Sequence, residues 1–154
     1  MVGAGLSILR PRALPALLLL AACAGPLHAQ SAEGRIGNIT VSGASARATP
    51  PGATVGAIYF TVSNAGTSAD RLDAVSTPIA RSVQIHATST VGGVMQMREV
   101  DGVECPPGAT VKAEPGGLHV MLIGLTAPLT LGSTFTVSLQ FHAAGVLTLK
   151  VPVT

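Results

Sequence analysis

The sequence predicts an all-β domain, an antiparallel sandwich or Greek-key barrel of about eight or nine short strands. Three observations point there. Eighteen Gly and eleven Pro break a chain of 154 residues at short intervals, which suits short strands better than long helices. Between the breaks, apolar and polar residues alternate with the period of a half-buried strand. No segment beyond the first thirty residues carries a convincing helical repeat.

Each element follows from its own pattern. After a polar lead at 30–37, read as a loose N-terminal arm, Ile39 to Val41 opens the β domain that runs over 38–154. Thr54 to Ser63 places Ile58, Phe60 and Val62 on one face and Ala57, Tyr59 and Thr61 on the other. Leu72 to Val75 follows the turn at Asn64-Ala65-Gly66, and Ser82 to Ala87 sets Val83 and Ile85 opposite Gln84 and His86. Val91-Gly92-Gly93 turns into Val94 to Val100. Two Pro/Gly clusters, Pro106-Pro107-Gly108 and Glu114-Pro115-Gly116-Gly117, bracket Thr110 to Ala113. Leu118 to Ile123 comes next. After Pro128, Phe135, Val137, Leu139 and Phe141 alternate, and a last strand carries Leu147, Leu149, Val151 and Val153.

The first residues read as an address. Arg10 and Arg12 precede twelve uncharged residues, Ala13 to Ala24. A membrane span needs about 20 apolar residues, so this stretch fits the hydrophobic region of a secretory signal. Two cleavage patterns compete. Leu27-His28-Ala29 fits removal of 1–29 and a soluble product, the preferred reading. Leu20-Ala21-Ala22-Cys23 resembles a lipoprotein box, which would remove 1–22 and lipidate Cys23. Both readings export the chain, and membrane contact is expected only in the second.

Removing this segment leaves seven of the nine basic side chains against seven acidic ones. Nine basic against seven acidic side chains in the full sequence, with only 10% of residues charged, argue against a nucleic-acid binder, which normally carries a clustered basic face. Four aromatic residues, one Tyr and three Phe, give no platform for stacking bases or sugars. A hydrophobic content of 47% excludes disorder. Cys105 remains as the single domain cysteine, so no intramolecular disulfide is available.

Catalytic patterns are poor. Asp70, Asp73, Asp101 and Glu104 are scattered through turns, and no Gly-x-Ser-x-Gly elbow, phosphate loop or dinucleotide fingerprint occurs. Cys105 reads as a tolerated loop thiol rather than a nucleophile. No enzymatic activity is expected.

Methionine and histidine placement carries more. Met95, Met97 and Met121 fall in one 27-residue window with His119, and His86 lies just before it. His119 and Met121 share a strand face opposite Leu118, Val120 and Leu122, and His86 opposes Val83 and Ile85. Thioether and imidazole together suit Cu(I), since thioether sulfur is a poor match for Zn, Mg or Ca. Such a site also avoids thiolates, which an oxidising exported compartment converts to disulfides. Packing is the competing explanation, because Met fills irregular core gaps. Met95 is read that way, as a core or supporting residue, although alternation alone does not choose between Met95 and Met97. His142 reads as a surface residue.

The spacing adds a resemblance. His86 is followed by ten residues and Met97, then by twenty-one residues and His119-Val120-Met121. This is similar to the His-x10-Met-x21-His-x-Met pattern of the periplasmic PCu(A)C copper chaperones. Gly93-Val94-Met95-Gln96-Met97-Arg98, Pro115-Gly116-Gly117-Leu118 and Phe141-His142-Ala143-Ala144-Gly145 resemble the same family, and the likeness runs from about Ile39 to Val153. It implies a cupredoxin-like Greek-key β-barrel in the periplasm with one Cu(I) per chain on His86, Met97, His119 and Met121. It also implies delivery of copper towards the CuA centre of cytochrome c oxidase, alongside a Sco-type assembly protein. One departure stands out: Ala44-Ser45-Ala46-Arg47-Ala48 carries Ser45 where the family commonly has Trp. Two other classes compete, a blue-copper electron carrier using Cys105 and a metal-free exported sandwich that binds another protein.

Overall fold

The structure, a computed structural model, describes residues 31–154. These form eleven strands and no helix: β1 (Ala32–Ile36), β2 (Ile39–Ala46), β3 (Val55–Asn64), β4 (Asp70–Ser76), β5 (Ala80–Val91), β6 (Val94–Glu99), β7 (Val103–Cys105), β8 (Thr110–Ala113), β9 (Leu118–Leu125), β10 (Thr134–Phe141) and β11 (Gly145–Pro152). The leader and its cleavage sites lie outside the described residues.

Two sheets face each other. One has seven strands in the order β1-β2-β3-β8-β9-β5-β6, with β3 also pairing β9; the other has four, β11-β10-β4-β7. Their inner faces supply the core. Ile58, Val62, Val120 and Leu122 from the first meet Leu72, Val137, Leu139, Phe141 and Val151 from the second, all fully buried. Burying each such side chain stabilises by roughly 1.5–3 kcal/mol, so every strand's facing is firmly set. A parallel bridge from Ala46 to Val153 joins the sheets along one side, and Thr154 N donates to Ala46 O at 2.8 Å.

All nine segments expected from alternation are strands, and two more appear. Residues 32–36, expected within a loose arm, form β1 and pair with β2 through the two-residue turn at Gly37-Asn38. Gly34 lies close against the side chains of Leu149 and Leu147, where a Cβ would press on the Leu149 methyl. The arm thus packs against β11 instead of hanging free. β7 is the other addition, only three residues long, and it pairs with β4.

The β5–β6 hairpin matters most for the site. Gly92 and Gly93 have φ of 59° and 80°, the left-handed pair that a two-residue type I′ turn requires and that matches strand twist. The turn sets Val91 opposite Val94, Thr88 opposite Met97 and His86 opposite Glu99.

Candidate metal centre

Val120 and Leu122 point into the core and are fully buried. Alternation therefore turns His119 and Met121 to the outer face of the seven-stranded sheet. Directly opposed residues on neighbouring strands share a face. His86 pairs with His119 and Gln84 with Met121 across β5 and β9. Met97 lies on β6 opposite Thr88, diagonal to His86. Three adjacent strands thus carry His86, Met97, His119 and Met121 on one face, although thirty-five positions separate the first from the last.

Met97, His119 and Met121 line one shallow groove of about 310 Å3. Arg47, Thr49, Val55 and Tyr59 supply its other wall. The His86 ring packs edge to face on His119, with centroids 5.8 Å apart. His119 is 8% exposed, deeper than an outer-face position suggests from sequence.

The hydrogen bonds set which ring nitrogens are available. His119 Nδ1 lies 3.1 Å from the Gly117 carbonyl. A carbonyl only accepts, so Nδ1 carries the proton and Nε2 keeps its lone pair. His86 Nε2 lies 3.0 Å from Gln84 Oε1, and with the amide oxygen accepting, Nδ1 holds the lone pair. That Nδ1 is buried and is the one such side-chain nitrogen or oxygen among the described residues with no partner. An unsatisfied buried polar atom costs about 1–3 kcal/mol, and a metal ion is the kind of partner that removes the cost. Tying the far nitrogen of each imidazole to a fixed acceptor is how ligating histidines are oriented. Gln84 and Gly117 were not singled out by the sequence. Gln84 shares parity with His86, a usable signal, whereas the role of the Gly117 carbonyl depends on how the turn folds.

The side chains gathered on this face are two imidazoles and two thioethers. Among the described residues no three His, Cys, Asp or Glu side chains gather as a metal-binding group; imidazole and thioether together match Cu(I). Cys105 is elsewhere. It ends β7 in the other sheet, pairs with Asp70, and is fully buried. Burial pushes its thiol above the ordinary value of 9.0. A blue-copper site using Cys105 with His119 is thereby excluded. His142 is on the surface as expected, with Nδ1 3.1 Å from Asp73 Oδ2. Met95 is not in the core: it is 69% exposed, on a strand whose every residue is exposed.

Ser45 pairs with Tyr59 across β2 and β3. It stands on the same outer face as the groove, so the short side chain leaves the Tyr59 wall open where an aromatic residue would cover it.

Comparison with known proteins agrees with this geometry. The chain is similar to the copper-bound PCuAC domain from PmoF2, at 30% identity with a TM-score of 0.68, covering 79% of this chain and 96% of that one. It is also similar to the Cu(I) form of DR1885 from Deinococcus radiodurans, at 29% identity with a TM-score of 0.62, covering 79% and 80%. The fold is that of a PCuAC-type, cupredoxin-like β domain. Residues 39–153 match the family described as "Putative lipoprotein LpqE-like". The chain is 35% identical over 150 residues to "Putative lipoprotein Lxx21020" of Leifsonia xyli subsp. xyli (strain CTCB07), covering 95% of this chain and 89% of that protein. It belongs to the LpqE-like family.

Proposed function

We propose that this protein is an exported Cu(I) chaperone that holds one Cu(I) per chain on His86, Met97, His119 and Met121 and releases it by ligand exchange. The observation that carries the reading is the convergence of four soft or borderline donors on one sheet face with the buried Nδ1 of His86 unpartnered. The likeness to a copper-bound PCuAC domain and to a Cu(I)-loaded protein supports the same ion.

Copper is cargo here. The groove is shallow, and Met97 is 56% exposed, so an incoming donor can reach the metal from solvent. Thioethers are neutral and leave without taking up a proton, while the two imidazoles stay fixed by Gln84 and Gly117. An acceptor thiolate can then displace Met97 and Met121 one at a time with no change of oxidation state. We assign the acceptor to the CuA site of cytochrome c oxidase or a Sco-type assembly protein, on the family resemblance. We also favour the form anchored through Cys23, since the matched family and the Leifsonia relative are both described as lipoproteins.

An anaerobic Cu(I) titration against a chromogenic chelator tests the site. The wild type should retain one equivalent, and Met97→Leu/Met121→Leu should lose it while unfolding at nearly the wild-type temperature. Equal retention by both proteins would return the Met/His window to packing and leave a metal-free protein-binding sandwich.

A further inference from the structure

We infer that Met95 is an outer thioether contact for Cu(I), through which the metal reaches and leaves the four-donor set; this rests on the function proposed above. Met95 pairs with Thr90 and Met97 with Thr88. Both sulfurs therefore project from the same face of β6, with Cα atoms about 7 Å apart along the strand. Met97 lines the groove with His119 and Met121. Met95 stands two residues farther along, towards the Gly92-Gly93 turn. At 69% exposure against 56% for Met97, it is the more open of the two.

Packing does not account for Met95. A core methionine fills gaps between buried neighbours, but every residue of β6 is exposed. β6 is also the edge of its sheet. Proteins ordinarily guard such edges with charge or proline; β6 carries its charges, Arg98 and Glu99, at the end away from the turn, and Val94 to Met97 have neither. A long apolar side chain there is a solubility cost with no folding return. Its cross-strand neighbours on the outer face are Thr88 and Thr90, whose short side chains leave room over β5 for the two thioethers to converge.

The step is a ligand exchange. Cu(I) exchanges its bond to Met97 sulfur for one to Met95 sulfur, and its bonds to Met121 sulfur and the two imidazoles then break in turn as the acceptor's donors bind. The bond to Met95 sulfur breaks last, which frees the metal from this chain. Copper remains Cu(I), each thioether leaves neutral, and an incoming thiol gives its proton to solvent. Uptake runs the same path in reverse.

Stopped-flow transfer of Cu(I) from the loaded exported chain to a bidentate chromogenic chelator tests this, with Met95→Leu beside wild type. Leucine keeps the apolar surface and removes the sulfur, and the small chelator has no protein surface to dock. Retention at equilibrium should be unchanged, while transfer and loading should both slow by about tenfold, the effect of a modest rise in barrier. An unchanged rate overturns the inference. So does a loss of retention as large as that of Met97→Leu, which would make Met95 a resident ligand. If wild type itself retains no Cu(I), the proposed function fails first, and this inference falls with it.

Discussion

His119 keeps one ring nitrogen for a metal because the Gly117 carbonyl occupies the other. Asp70 shows the same dependence on backbone partners in a purely structural setting. Its carboxylate accepts from Arg71 N at 2.7 Å, Ala143 N at 2.8 Å and Ala144 N at 3.0 Å. Burial pushes this carboxyl up, but the backbone donors of Ala143, Arg71 and Ala144, with His142 nearby, outweigh it and hold the group below its ordinary 3.8. A depressed carboxylate contributes stability that is present above its unfolded value and is lost as pH falls through the folded one. Asp70→Asn should therefore destabilise at neutral pH, by about 1–3 kcal/mol for weakened charge-assisted bonds. Thermal melts should show the gap to wild type closing well below pH 3.8; a gap constant across that range would refute the assignment. The sequence shows Asp70 only as a turn acid, since two of its three backbone partners lie 73 and 74 positions away.

The β5–β6 hairpin turns a sequence interval into a donor geometry. Ten residues between His86 and Met97 accommodate two strand arms and a two-residue turn, which sets Met97 opposite Thr88 on the outer face. A slip of one residue moves every side chain of a strand to the other face. Inserting one alanine between Gly92 and Gly93 should thus reduce Cu(I) retention as far as Met97→Leu does, read by the same chelator competition. The melting temperature should hardly change, because β6 buries nothing. Alternation makes nine of the segments legible, along with the face shared by His119 and Met121. It is silent on depth: parity places Met95 and Met97 alike, and it does not show that the whole of β6 is exposed. β1 escapes notice because a polar lead holding Gly34 and Gly37 carries no clear apolar alternation. β7 escapes because three residues carry too little pattern.

Across the whole molecule, the seven-stranded sheet carries the proposed donors on its outer face and the core on its inner one, so the site can be altered without disturbing the core. The address is separable in the same way. Under the anchored reading, Cys23→Ser should move the protein from the detergent phase to the aqueous phase in phase partition of whole cells, with Cu(I) retention intact; an unchanged distribution would favour cleavage after Ala29. The docking of β1 then has a consequence for reach. With Cys23 in the lipid, eight residues separate it from Ala32, a leash of at most about 30 Å. Ala32 pairs with Ala44 in β2, β2 pairs with β3, and β3 pairs directly with β9 at Met121. Three strand spacings, about 15 Å, therefore separate the leashed edge from the metal-bearing strand. The protein would search for its acceptor within a thin shell above the bilayer, where confinement raises effective concentration without any added contact.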